Sequence, residues 1–192
     1  YWQSVFSISI LNKAFYEDII AWFNQAVKKI QIPDHKKESE KHKDFTVRLI
    51  SRLIFIWFLK ELKVVREDLL IPYFLNGSKN EIIEPNIKGS GYYKFILQNL
   101  FFNALNKQDR PNDEFKLPDN TTVCIPFLNG GLFEEHQEPK KHKKIKLPEY
   151  LFQSLLEFFN GYNFTVYENS PDDHVVAVDP EMLSNIFENL LE

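Results

Sequence analysis

The apolar positions along the chain repeat with helical spacing over most of its length. Residues 44–63 (DFTVRLISRLIFIWFLKELK) are apolar without interruption from Leu53 to Leu59, and charges return only towards the two ends. The run is much shorter than the roughly 20 residues that span a bilayer. It is also too long for one strand and contains no Gly or Pro. We therefore predict a central helix with Asp44 as its N-cap, covered on every side in its middle turns.

Further helices are predicted on both sides of this one. Residues 10–30 and 92–106 each carry an apolar stripe with polar residues elsewhere on the helix, and residues 148–159 start at a proline and precede a glycine. Residues 31–43 are charged and contain Pro33, so we expect a mobile linker there.

The C-terminal stretch begins a last predicted helix at Asp179, which is followed by a proline and a glutamate suited to a first turn. A short helix must dock on something to be stable in water. We expect its apolar face to support weak self-association. This face consists of Leu183, Ile186, Phe187, Leu190 and Leu191.

Short strands are expected in two places. Residues 121–127 are rich in β-branched side chains, and an Asn-Gly-Gly turn at 129–131 favours a hairpin that closes on residues 132–133. Residues 162–166 and 175–178 could form a second hairpin. The predicted fold class is therefore mainly α, an irregular multi-helix domain with one or two short β-hairpin elements.

Composition narrows the class of protein. A chain of 192 residues with 44% apolar and 15% aromatic residues has the makings of a globular core. We expect a single domain over 1–192, with a possible subdivision into a helical core at 1–110 and a mixed part at 121–192. The chain starts at Tyr1 rather than Met and stops inside an apolar pattern, so we expect a piece of a longer protein.

Charge and cysteine content add two expectations. A net charge of −4 argues against a generally basic nucleic-acid binder, but five lysines form one basic block: Lys140, Lys141, Lys143, Lys144 and Lys146. This block could contact DNA phosphates, although a solvated, disordered loop is the more common explanation of such a block. A single cysteine excludes an internal disulfide and fits a reducing cytoplasm, and no membrane span is visible.

Catalytic constellations are hard to find. Asp34, Glu38, Glu40 and Lys41 have the letters of a magnesium-dependent nuclease, but no acid lies two residues before the lysine and the acids are too close together in sequence. The five histidines are scattered and lack zinc-ligand spacing, so we expect them to be solvated. Cys124 has apolar neighbours, which favours a buried small residue over a nucleophile.

Four segments, taken in order, resemble a known family. They are similar to the region that precedes the methyltransferase domain of type IIG restriction-modification enzymes, which carry adenine-specific DNA methyltransferases. The segments are RLISRLIFIWFLKE (48–61), YYKFILQNLFFNALN (92–106), IPFLNGGLFE (125–134) and YNFTVYENSPDDHVVAVDPEMLSNIFENLLE (162–192). These motifs are structural, so the resemblance carries over no catalytic, cofactor-binding or metal-binding residue.

The resemblance implies a non-catalytic helical connector between an N-terminal nuclease and the methyltransferase, in a bacterial, cytoplasmic protein. The parent would use S-adenosylmethionine and Mg²⁺ on DNA, while the fragment itself would hold no cofactor. Two other classes stay open: a helical protein-protein adaptor with no nucleic-acid role, and a free-standing nuclease. The glycine-rich methyl-donor loop of a methyltransferase, if it followed residue 192, would separate connector from adaptor.

Overall fold

The computed structural model describes residues 2–36, 38–65, 70, 91–116, 122–128 and 131–162. Of these residues 67% are helical, and the β structure among them is one two-stranded antiparallel sheet, so the mainly α fold class is confirmed. The predicted second hairpin, apart from its first residue, and the predicted C-terminal helix lie outside the described residues. The subdivision into 1–110 and 121–192 stays a prediction.

Three α-helices and one π-helical segment form most of the described structure. The helices are α1 (Trp2–Lys29), α2 (Glu40–Glu61) and α3 (Glu149–Asn160), and the π-helical turns are Tyr92–Leu97 and Asn99–Leu105. Four short 3₁₀ turns are described at Pro111–Asp113, Gly131–Phe133, Glu135–Gln137 and His142–Lys144. None of the helices in the described part of the chain has the length and apolarity needed to cross a bilayer.

The central helix α2 begins earlier than predicted. Its N-cap is Ser39, whose carbonyl accepts hydrogen bonds from the backbone N–H groups of His42 and Lys43. The prediction of Asp44 as N-cap is wrong, because Asp44 lies inside the helix and its carboxylate is 3.8 Å from the Lys41 ammonium. The charged residues 40–43, assigned to a linker from the sequence, thus form the first turn of α2.

The core is built from aromatic side chains of all four helical segments. Trp57 of α2 is 1% exposed and packs edge-on against Phe159 of α3, with ring centroids 5.4 Å apart. In α1, the indole N–H of Trp22 donates a hydrogen bond of 2.7 Å to the Leu151 carbonyl. The expectation that α2 is covered on every side is wrong at Phe55, which is 40% exposed.

The segment that contains residues 92–105 winds more widely than an α-helix. The backbone N–H of Asn106 bonds to the Phe101 carbonyl, and that of Gln98 bonds to the Tyr93 carbonyl, both with i→i+5 spacing. This geometry is usually confined to single turns. Here it gives the segment a broad buried face that includes every apolar residue of the predicted stripe: Tyr93, Ile96, Leu97, Leu100, Phe101 and Ala104.

The hairpin pairs β1 (Glu114–Lys116) with β2 (Thr122–Cys124), and Phe115 lies opposite Val123. The predicted strand at 121–127 is therefore present in part, but its predicted partner at 132–133 is wrong. Residues 132–133 lie in a 3₁₀ turn instead. The actual partner lies upstream, in a stretch whose polar sequence resembles a loop. The two strands pair there because Phe115 and Val123 both bury their side chains on one face of the sheet.

Candidate nucleic-acid interface

The basic block lies on a loop, residues 138–146 (the basic loop), that is held in place along its whole length. All five lysines are exposed, and His142–Lys144 form one 3₁₀ turn. Ile145 and Leu147 bury their side chains in the core on either side of Lys146. The expectation of a disordered loop is wrong, because these two apolar residues fasten it to the domain.

The loop begins at a buried ion network. Glu138 presents one carboxylate oxygen, Oε1, to two arginines of α2: it lies 2.7 Å from Arg52 Nη1 and 3.2 Å from Arg48 Nε. The Glu138 side chain is 0% exposed, and that of Arg52 is 1% exposed. Arg52 Nε also donates to the Leu132 carbonyl at 2.7 Å. The network therefore fixes both α2 and the 3₁₀ turn Gly131–Phe133 to the start of the basic loop.

Aromatic rings take part in stabilising the buried guanidinium. The Cζ atom of Arg52 lies 5.4 Å from the Phe101 ring centroid and 5.3 Å from that of Phe102. Arg52 Nη2 and Glu138 Oε2 have no hydrogen-bond partner among the described residues. Cation–π attraction is strongest where water is excluded, so the two rings offset part of the desolvation cost of this charge.

The middle of the loop is anchored by His142. Its carbonyl accepts a hydrogen bond of 3.1 Å from Gln98 Nε2, and its ring packs edge-on against Phe102 at 5.6 Å. Its Nε2 lies 3.0 Å from Glu135 Oε1, an ion-pair distance without hydrogen-bond geometry.

The expectation of solvated histidines is wrong at His142 and also at His42, which is 0% exposed. His42 Nδ1 lies 2.9 Å from Ser39 Oγ at the start of α2, and burial lowers the pKa of its imidazole. His35 and His136 are exposed, as expected.

The end of the loop is joined to the end of α1. Gln31 and Lys146 form an antiparallel bridge in which each backbone N–H donates to the carbonyl of the other, both at 3.0 Å. Ile32, the next residue, is buried. The segment after α1, predicted to be mobile, is thereby tied to the basic loop.

The five lysines differ in their partners. Lys141 Nζ lies 2.6 Å from Asp34 Oδ2, and Lys143 Nζ lies 3.3 Å from Glu135 Oε1. Hydrogen bonding and attraction from Lys141 hold the pKa of the Asp34 carboxyl below its usual 3.8, with smaller contributions from His35 and Lys144. The predicted DNA contacts of all five lysines stay a prediction: Lys140, Lys141, Lys143, Lys144 and Lys146.

A polar pocket of about 310 Å³ opens on the Lys143 side of the loop. The π-helical segment forms one of its walls and the loop forms the other. Its lining residues are Lys94, Gln98, Asn99, Phe102, Asn103, Glu135 and Lys143. Within the pocket, Asn103 Nδ2 donates a hydrogen bond of 2.7 Å to Asn99 Oδ1. One donor and one acceptor of the two side-chain amides are therefore already paired with each other.

Two other sequence candidates have plain structural surroundings. The prediction that Cys124 is buried is wrong: Val123 takes the inward position of β2, so Cys124 points outward and its Sγ lies 3.1 Å from the Asn112 carbonyl. Glu38 and Glu40 are exposed, as is Asp34. Across the described residues, no three His, Cys, Asp or Glu side chains are grouped so that they could hold a metal ion.

Comparison with known proteins identifies one informative similarity. Over 165 residues, 84% of this chain, the sequence is 31% identical to a protein of Methanocaldococcus jannaschii named "Putative type II restriction enzyme and methyltransferase". The matched region is 13% of that protein's length. No protein-family model and no solved structure matches the chain. The chain is thus similar to a small portion of a protein named as a restriction enzyme and methyltransferase.

Proposed function

We propose that this chain is the non-catalytic helical connector of a type IIG restriction-modification enzyme. It would join an N-terminal nuclease to an adenine-N6 DNA methyltransferase. The observation that carries the proposal is the similarity to a much longer restriction-modification protein, which covers most of this chain and 13% of that one. A region that makes up 13% of a large polypeptide has a size suited to a segment that links its larger domains.

The described architecture supports a mechanical role. A connector transmits position only if its parts do not move relative to one another. Here the buried Arg52–Glu138 pair ties α2 to the basic loop, and the Gln31–Lys146 bridge ties the same loop to α1. The aromatic core adds close packing between α2 and α3 through Trp57 and Phe159.

The chemistry of the parent is proposed to lie in the flanking domains. S-adenosylmethionine would supply the methyl group in the methyltransferase, and Mg²⁺ would serve the nuclease. This chain would contribute the fixed separation between the two, with the basic loop as a contact for the DNA backbone. No residue of the chain is assigned to either cofactor.

The test uses the full polypeptide encoded by the gene that contains this chain. If the chain sets the distance between two active sites, loosening it with Glu138→Ala should leave methyl transfer intact but scatter the cleavage position relative to the methylated adenine. Glu157→Ala is the matched control, because Glu157 is an exposed acid of α3 that pairs with Gln153. Sequencing of the cut ends gives the cleavage position for Glu138→Ala and for Glu157→Ala, and a methyl-transfer assay is run on the same two proteins.

Two outcomes count against the proposal. A full polypeptide with no methyl-donor loop and no methyl transfer would favour the protein-protein adaptor instead. A cleavage position that stays sharp in Glu138→Ala, when unfolding experiments show the domain to be loosened, would mean that another region sets the distance.

A further inference from the structure

The Gln31–Lys146 bridge brings together two basic segments that are far apart in sequence. The last turn of α1 carries Lys28 and Lys29, both exposed, and it ends two residues before the bridge. Antiparallel partners have Cα atoms about 5 Å apart. The end of α1, with its two exposed lysines, therefore lies beside the end of the basic loop.

Asp34 lies against the loop lysines on this side. Its backbone is in the left-handed region, with φ of 68°, which an aspartate adopts more readily than most residues. Its carboxylate is exposed and reaches Lys141 Nζ at 2.6 Å. Lys144 is close enough to contribute to the lowered pKa of Asp34. An oxygen of a negatively charged carboxylate is thus held where a phosphate oxygen could bind.

Lys143 belongs to a different environment. Its ammonium pairs with Glu135, and it lines the polar pocket together with Lys94. The 3₁₀ turn places Lys143 and Lys144, neighbours in sequence, in different surroundings. The structure therefore separates Lys143 from the lysines near Asp34, Lys141 and Lys144, and from Lys146, whose backbone bridges Gln31.

We propose that this two-segment basic surface docks the sugar–phosphate backbone of duplex DNA, and that Asp34 mimics a phosphate on Lys141 until DNA displaces it. The surface consists of Lys28, Lys29, Lys140, Lys141, Lys144 and Lys146. The choice of DNA as the partner rests on the proposed function. The surface and the role of Asp34 rest on the contacts described above.

The exchange at Lys141 is energetically accessible. An exposed ion pair between flexible side chains contributes little to stability, because water and salt screen it. Each phosphate that binds an ammonium releases counterions from the DNA, and this release drives association at low salt. Asp34 then competes for Lys141 and repels the incoming phosphate, so it limits affinity rather than supporting it.

The experiment measures binding of the chain to a short, labelled, random-sequence duplex by fluorescence anisotropy over a range of salt concentrations. Asp34→Asn removes the competing charge and should tighten binding by roughly threefold or more at low salt. Lys144→Ala and Lys28→Ala should each weaken binding and reduce the slope of log K against log salt by about 0.9. Lys143→Ala is the matched control, with the same change in net charge, and should alter the slope much less.

Several results would overturn the inference. If Asp34→Asn binds DNA no more tightly than the parent, the proposed role of Asp34 is wrong. If Lys143→Ala weakens binding as much as Lys144→Ala, the proposed surface is wrong. Binding to anionic lipid vesicles without binding to DNA would assign the surface to another partner. If the chain does not bind DNA while the full polypeptide still couples methylation to cleavage at a fixed distance, this inference fails and the connector proposal stands.

Discussion

Two carboxylates hold the same basic loop, and they do so in opposite environments. Glu138 fastens the start of the loop from inside the domain, where its side chain is 0% exposed. Asp34 contacts Lys141 from the surface, and its side chain is 65% exposed. Both pairs are close, at 2.7 and 2.6 Å, so distance does not distinguish them. Burial does.

The difference follows from the solvent around each pair. Charges removed from water lose hydration that must be replaced by partners. If one partner of a buried pair is removed, the other charge stays in the protein interior without a counter-ion. At the surface, water replaces a lost partner at once. The buried pair is therefore suited to hold the fold, and the surface pair is suited to exchange with a ligand.

Glu138→Ala should have the largest effect. It leaves Arg52 buried without its counter-ion, and removal of one partner of such a pair costs about 3–5 kcal/mol of unfolding free energy. Urea unfolding followed by circular dichroism measures the change. Glu157→Ala, an exposed control, should stay within about 0.5 kcal/mol of the parent. A loss below about 1 kcal/mol would show that water reaches the buried pair.

Replacing both partners tests whether the ion pair itself stabilises the fold. Arg52→Met combined with Glu138→Leu fills the space with apolar groups, and such exchanges are often neutral or stabilising. We expect the double variant to recover most of the stability lost in Glu138→Ala, although the Leu132 carbonyl loses a hydrogen-bond donor. A double variant as unstable as the single one would mean that this carbonyl and the aromatic contacts carry the effect.

The buried His42 should have an effect on stability between those of the buried and the surface ion pairs. Burial lowers the pKa of His42 below its usual 6.5, so the unfolded chain binds a proton more readily than the folded one. Its contribution to stability is present above pH 6.5 and is lost as pH falls through the folded pKa. The thermal midpoint should therefore decrease below pH 6.5, and His42→Phe should flatten that part of the profile. An unchanged profile in the variant would assign the decrease to other groups.

The surface pair should show the smallest effect on stability. Because Lys141 lowers the pKa of Asp34 below 3.8, its contribution is present above that pH and is lost as pH falls through the lowered value. Lys141→Ala should move the Asp34 midpoint upward in a carboxyl NMR titration and leave the urea midpoint unchanged. A midpoint that does not move would show that the pair is not formed in solution.

Apolar periodicity was sufficient to predict the helices at 10–30, 44–63, 92–106 and 148–159, while the predicted C-terminal helix stays a prediction. The predicted stripe at 92–106 is buried as expected, since an amphipathic helix needs only its own spacing to be recognised. Long-range partners were not predictable. Whether Cys124 points inward, or which segment pairs with β2, depends on residues elsewhere in the chain.

The candidate site was predicted as a set of exposed lysines but not as an anchored surface. Arg52 carried a signal, because it lies on the buried face of α2 between Leu49 and Ile56, three residues before it and four after it. An arginine at such a position calls for a buried acid. Nothing local marks Glu138 as that acid, because it follows the exposed Gln137 and precedes Pro139 and the exposed Lys140 in the sequence.

The backbone bridge between Gln31 and Lys146 has a consequence for how the folded domain opens locally. Its two hydrogen bonds close a very long stretch of chain, and a contact of this kind forms only after much chain entropy has been lost. Neither amide can open alone without straining the other, since both belong to one pair of residues. In native-state hydrogen exchange the two amides should therefore exchange with the same opening free energy. That shared value would mark α1 and the basic loop as parts of one cooperative unit.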